Sequence, residues 1–230
     1  MKLTILNPKN PEQDFPCVTK ALLEPDGLLA IGGCLSSRRL LKAYRQGIFP
    51  WYNPGEPILW WSPDPRLVLF PEHLLISRSL RKVLHKKIFS VTFDQVFDEV
   101  IGACAKTRLG STGTWITSDI RQAYNKLHEL GVAHSAEAWQ DGELVGGLYG
   151  VALGKVFFGE SMFHRRTDAS KVVFVTLVKQ LKLWGYQLID CQVHTHHLIS
   201  FGANEIARDC FIQLLDRYCD LPVHPWAWSQ

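Results

Sequence analysis

The sequence predicts a mixed α/β protein: a small N-terminal domain over residues 1–66 and a larger domain with a mixed central sheet over residues 67–230. Three observations predict it. From residue 89 onward, short runs rich in aromatic and β-branched residues alternate with longer stretches of helical periodicity. Asp141–Gly142 sits between two strand-like runs, a strong hairpin signal. The first 66 residues instead read as proline- and tryptophan-rich loops around one clear helix. With 47% hydrophobic and 20% charged residues, a chain of 230 residues can bury a substantial core.

In the N-terminal domain, Glu24–Pro25–Asp26–Gly27 is a turn and Gly32–Gly33 a second break. Ser36 or Ser37 can cap the helix that follows, with Leu40, Leu41 and Tyr44 on its apolar face and Gly47 just past its end. Gly47–Tyr52 and Leu59–Arg66 then alternate aromatic residues with prolines that hold the chain extended. These segments read either as a packing seam between the domains or as an aromatic wall for a flat ligand such as a base.

The larger domain begins with a strand at Phe89–Phe93, and Asp94 is expected to cap a helix through Val96, Phe97, Val100 and Ile101. A Gly110–Thr114 loop leads to Trp115–Ile116, and a helix from about Ser118 to Leu130 closes at Gly131. Strands are expected over His134–Trp139, Leu144–Leu153 and Val156–Phe163. A long helix starts at Asp168 or Ser170, buries Val172, Val173, Leu177, Val178 and Leu181, and ends at Gly185. A strand at Leu188–Val193 and short helices near 197–201 and 209–217 finish the chain.

Two of these strands carry polar groups that a structural core strand would avoid. Glu160 interrupts Val156–Phe163, and Asp190 and Gln192 lie two residues apart in Leu188–Val193. Strict alternation would project Asp190 and Gln192 from one face, with Ile189, Cys191 and Val193 on the other. Buried polar side chains must be partnered, so the three mark a candidate site or a structural hydrogen-bond network.

Residues 66–87 hold Arg66, Arg78, Arg81, Lys82, Lys86 and Lys87 against the single acid Glu72. A solvated helix face explains such a run; the functional alternative is a phosphate-contacting patch formed by Arg78, Arg81, Lys82, Lys86 and Lys87. A net charge of +3 argues for local rather than general nucleic-acid affinity. No apolar run approaches the ~20 residues that span a bilayer, and Met1–Thr4 does not open a signal peptide, so a cytoplasmic protein is expected. The six cysteines show no framework spacing and read as reduced thiols. His194, His196 and His197 crowd one segment but lack the spacing of a helical metal pair, so no metal is expected.

The predicted order, strand–helix–helix–three strands–helix–strand–helix, is similar to that of acetyltransferase-like (GNAT) domains. Those enzymes cradle coenzyme A on a glycine-containing loop at the start of the central helix. The corresponding stretch here, His164–Ser170, has no glycine. Coenzyme A is therefore not expected as acyl donor.

Six motifs together resemble the bacterial leucyl/phenylalanyl-tRNA–protein transferases: Pro25–Gly33, Gly47–Trp51, Trp60–Arg66, Gly113–Thr117, Gly159–Phe163 and Leu188–Gln192. The resemblance implies transfer of Leu or Phe, with Met as a further donor, from aminoacyl-tRNA to the N-terminal α-amine of proteins beginning with Arg or Lys. It implies a peptide bond formed without cofactor, an N-degron for protein degradation, and no membrane partner. By position it implies that Asp190 deprotonates the amine, that Gln192 orients it, and that Glu160 sits at the pocket rim. The donor side chain would occupy Leu148, Phe157, Phe174, Leu177, Leu181 and Ile189, although the order of Phe and Leu within 174–181 departs from the family pattern. Trp115, with Trp51 beside it, would stack the terminal adenosine. The alternative is a non-catalytic RNA- or peptide-binding module on an acetyltransferase-like scaffold.

Overall fold

A computed structural model describes residues 3–106 and 114–229, so Met1, Lys2 and the expected Gly110–Gly113 loop lie outside the described residues. The N-terminal part forms a four-stranded sheet of order β1-β2-β4-β3, from β1 (Thr4–Leu6), β2 (Leu28–Gly32), β3 (Phe49–Pro50) and β4 (Leu59–Trp61). Its helix α1 (Ser37–Arg45) starts as expected, with the Ser36 hydroxyl accepting from the Arg39 N–H, and buries Leu40, Ala43 and Tyr44.

The second sheet has seven strands in the order β11-β5-β10-β9-β8-β7-β6. In chain order its elements are β5 (Arg66–Leu69), α2 (Arg78–Lys86), β6 (Ser90–Phe93), α3 (Phe97–Ala105), α4 (Ser118–Glu129), β7 (Ala133–Gln140), β8 (Glu143–Leu153), β9 (Val156–His164), α5 (Ala169–Leu183), β10 (Leu188–Gln192), α6 (His196–Ile199), β11 (Asn204–Ile206) and α7 (Arg208–Tyr218). The mixed α/β class is the one expected, and from β6 to β10 the order of strands and helices is the predicted one. β9 and β10 run parallel, whereas the other neighbours in this sheet are antiparallel. The β7–β8 hairpin turns at Asp141 and Gly142, both at positive φ (53° and 80°) as a type I′ turn requires.

The two faces of this sheet carry separate cores. Helices α3, α4 and α7 cover one face, where Val100, Ile120, Leu127 and Phe211 pack with Leu40 and Tyr44 of the N-terminal part. Helix α5 covers the other, burying Val173, Leu177 and Leu181 against Leu148, Phe157 and Ile189. One expectation fails locally: Asp94 does not cap α3, whose N-cap residue is Val96. Asp94 instead turns the chain at φ 54°, its carboxylate meeting His134 Nδ1 at 2.7 Å and accepting from the Ser135 N–H at 2.8 Å.

Candidate functional site

The site forms where β9 and β10 part. They pair as Leu188–Val156, Ile189–Phe157 and Asp190–Phe158, where the ladder stops. At that level each strand has a bulge. Against β8, Tyr149 faces Ser161 and Gly150 faces Gly159, leaving Glu160 as the extra residue. Against β5, Asp190 faces Val68 and Gln192 faces Leu67, leaving Cys191 as the extra residue, and Gln192 takes φ 63°. Bulges re-aim side chains; here they turn the Gln192 amide onto the Glu160 carboxylate, donating at 2.8 Å to Oε1.

Two tyrosines complete the Glu160 environment. Tyr44 from α1 donates to Oε1 at 2.8 Å and Tyr124 from α4 donates to Oε2 at 2.9 Å. The two phenol oxygens also lie within hydrogen-bond distance of each other; with one proton apiece, they make that bond only in exchange for one of the two to a carboxylate Glu160. Burial lifts Glu160 from its ordinary 4.5 to about 7, against the lowering effect of the bonds from Tyr44 and Tyr124; the Asp190 charge lifts it further and the Gln192 bond lowers it. Burial also holds both phenols well above their usual range, reinforced by the Glu160 charge, so both stay protonated. The result is a carboxyl group able to gain or lose a proton near neutrality, fixed by three donors.

Asp190 has a different environment. It is fully buried and forked by Arg66, whose Nε donates to Oδ1 at 2.8 Å and Nη2 to Oδ2 at 2.7 Å. The Gln192 backbone N–H adds a third bond to Oδ1 at 2.9 Å. The Arg66 guanidinium lies between the rings of Phe49 and Phe211, 4.8 and 4.7 Å from their centroids. The expected common face for Asp190 and Gln192 is corrected by the bulge: one side chain meets Arg66 and the other meets Glu160. Both Asp190 oxygens are occupied by charge-assisted bonds to Arg66.

Beside Glu160 and Gln192 lies a cavity of about 620 Å³ between the sheet and α5. All six residues expected for the donor pocket line it: Leu148, Phe157, Phe174, Leu177, Leu181 and Ile189. Glu160, Asp190 and Gln192 also border it, so an apolar chamber opens beside a polar edge.

The remaining expected residues lie elsewhere. Trp51 is exposed and Trp115 half-buried, and neither lines the cavity. The Tyr52 hydroxyl lies near the Thr117 side chain, so their two segments run close together. Trp51 packs at a tilt against Trp61, centroids 5.9 Å apart. Arg78, Arg81, Lys82 and Lys86 share the exposed stripe of α2, and Lys87, its C-cap, is exposed as well. Arg66 leaves the basic run altogether because it is buried against Asp190. His194 Nδ1 meets Glu205 at 2.7 Å, and His197 packs edge-on to Phe201. Among the described residues no three His, Cys, Asp or Glu side chains converge as metal ligands.

Sequence reasoning missed Tyr44, Tyr124 and Arg66. Tyr44 reads as one more apolar position of α1, yet a buried tyrosine hydroxyl needs a partner. Arg66 heads the apolar run Leu67–Leu69, and a cation at the mouth of a buried strand calls for a buried anion.

A family model described as leucyl/phenylalanyl-tRNA protein transferase matches residues 68–216, and one described as the N-terminal domain of that transferase matches residues 33–64. A leucyl/phenylalanyl-tRNA–protein transferase of Methylococcus capsulatus is 58% identical over 227 residues, 99% of this chain and 97% of the relative. One from Chromohalobacter salexigens is 61% identical over 214 residues, 93% of this chain and 84% of the relative. A GCN5-related N-acetyltransferase from Kribbella flavida aligns with 73% of this chain and 60% of its own at 12% identity and a TM-score of 0.38, a likeness too slight to argue from.

Proposed function

The chain belongs to the leucyl/phenylalanyl-tRNA protein transferase family and is an aminoacyltransferase; from that premise we propose that it moves Leu or Phe from a charged tRNA to the N-terminal α-amine of proteins beginning with Arg or Lys. The observation that carries the reading is the apolar cavity beside the polar edge of Glu160 and Gln192. Leu148, Phe157, Phe174, Leu177, Leu181 and Ile189 take the donor side chain. That places the ester carbonyl at the polar edge, within reach of an incoming amine. Trp115 and Trp51 hold the terminal adenosine, and Arg78, Arg81, Lys82, Lys86 and Lys87 contact tRNA phosphates.

The chemistry asks little of the protein beyond proximity and a free amine, because the aminoacyl ester is already activated. An α-amino group titrates at about 7.7–8.0. Glu160, at about 7, lies close enough to that value to take its proton without a steep barrier. The freed nitrogen attacks the ester carbonyl, the bond to the ribose oxygen breaks, and that oxygen leaves with the proton Glu160 received; the second proton, shed as the nitrogen becomes an amide, passes to the vacated Glu160 carboxylate and from there to water. Tyr44 and Tyr124 hold the carboxylate throughout, and Gln192 orients the amine. Asp190, locked by Arg66, acts one step back by holding the Gln192 backbone in its left-handed turn. The peptide bond so formed changes the N-terminal residue of the acceptor and marks it for degradation. We place this activity in the cytoplasm, with charged tRNA; among the described residues no helix is long and apolar enough to cross a membrane.

The test is direct. Radiolabelled Phe-tRNA is incubated with the protein and acceptors beginning with Arg or Lys, alongside the same acceptor beginning with Ala. Label at the Arg or Lys N-terminus and none at Ala supports the reading. Bound tRNA with no labelled acceptor, whether Arg- or Lys-initiated, contradicts it and favours a binding module.

A further inference from the structure

We propose that the segment after α7, through Trp228, sets the depth of the donor side-chain pocket and so helps choose which amino acid is transferred; this rests on the reading of that cavity given above. The segment lies beyond the stretch matched by the family model, which ends at residue 216. It returns across the α5 side of the sheet. The His224 N–H donates to the Trp184 carbonyl at 2.9 Å, and the Trp228 indole N–H donates to the Tyr186 hydroxyl at 2.8 Å. Trp228 itself sits at φ 61°, a conformation an indole-bearing residue adopts only when its surroundings hold it there.

Those surroundings are aromatic. The Trp228 ring lies parallel to His134 at 4.0 Å and packs on Trp184 at 4.7 Å. His134 is held in turn by its 2.7 Å contact with Asp94. From this fixed position Trp228 stacks on Phe157, centroids 5.9 Å apart and planes 24° apart. Phe157 lines the donor cavity, whereas Trp228 lines a second cavity behind it, of about 610 Å³. The floor at this point is therefore a two-ring wall with open space behind it. The chain makes room for that arrangement at Gly150, where a Cβ would stand 2.5 Å from Phe157 Cζ. Phe157 is thus confined between a strand position without a side chain and an indole supplied by the C-terminal segment. Without the indole its ring gains a second place to go, and the donor chamber deepens.

Donor selectivity reads this out better than rate alone. Wild-type protein, Trp228→Ala and Trp228→Leu are assayed for kcat/KM with Leu-tRNA, Phe-tRNA and tRNA charged with a para-substituted phenylalanine. The ratio of two donors on one preparation cancels the folded fraction, so partial unfolding does not move it. Both variants should favour the larger donor over Leu by roughly tenfold more than wild type, in the range a methylene-sized change of pocket gives. Should Trp228→Ala fail to fold, Trp228→Leu, which keeps an apolar plug but no flat ring, carries the same expectation. Unchanged donor ratios in a folded variant overturn the role of Trp228 while leaving the pocket intact. A wild-type protein that transfers from none of the three tRNAs overturns the underlying reading as well.

Discussion

Replacing Arg66 by Met separates a structural role for Asp190 from a direct chemical one. Arg66 and Asp190 are 1% and 0% exposed, joined by bonds of 2.8 and 2.7 Å. Removing the guanidinium leaves a buried carboxylate with the Gln192 N–H as its remaining donor, a loss of about 3–5 kcal/mol for a broken buried pair. For a chain of this size that lowers Tm by roughly 10 °C. Replacing both partners, Arg66→Met with Asp190→Leu, removes the unpaired charge and should regain most of that stability, since apolar replacements of buried pairs are often neutral. Thermal melts of the single and double variants give the stability arm, and single-turnover transfer from Phe-tRNA gives the activity arm. The double variant has no carboxylate at position 190 yet should keep transfer within roughly tenfold of a comparably folded control. A folded double variant slowed by ~10²–10⁴, the range of a lost general base, would refute the reasoning and return the proton-accepting role to Asp190.

Three further outcomes follow from the same geometry. Changing Lys82, Lys86 and Lys87 together to Ala should weaken tRNA binding and flatten its salt dependence, while a short aminoacyl-adenosine donor reacts almost as before; equal loss for both donors would remove α2 from tRNA contact. Trp115→Ala should raise KM for both donors by about tenfold, the worth of one stacked base, and Trp115→Phe should recover much of it; a large fall in Tm with unchanged KM would make it a packing residue. The folded protein binds the Glu160 proton up to about 7, the unfolded chain only to about 4.5, so stability falls as pH rises between those values. Urea midpoints should show that fall, worth about 3 kcal/mol in full, in wild type but not in Glu160→Gln.

Much of the site was legible because it broke local patterns. Glu160, Asp190 and Gln192 stood out as polar residues in apolar runs, and the six cavity residues followed from the family pattern laid on strands and a helix that formed where expected. Bulges were not legible: alternation has period two, and nothing in Gly159–Ser161 or Asp190–Gln192 announces where it slips. Partners distant in the chain were not legible either. Arg66 and Asp190 are separated by 124 positions, and Tyr44 and Glu160 by 116, so neither pair leaves a mark in any local window. The short strands β1 and β11, of three residues each, are fixed by pairing with neighbours rather than by their own composition. The basic run had the opposite fault: six charges adjacent in sequence divide into five on the surface and one in the core.

The most direct test of the mechanism is the pH dependence of single-turnover transfer at saturating Phe-tRNA, for wild type and Glu160→Gln. In wild type the rate should rise through an inflection near 7, where Glu160 becomes free to take the proton, and again near ~8 as the acceptor amine loses its own. In Glu160→Gln the inflection near 7 should vanish, leaving a slower profile governed by the amine. An inflection near 7 that persists in the variant, or a variant as fast as wild type across the range, would contradict the assignment of Glu160 as the group that accepts the proton.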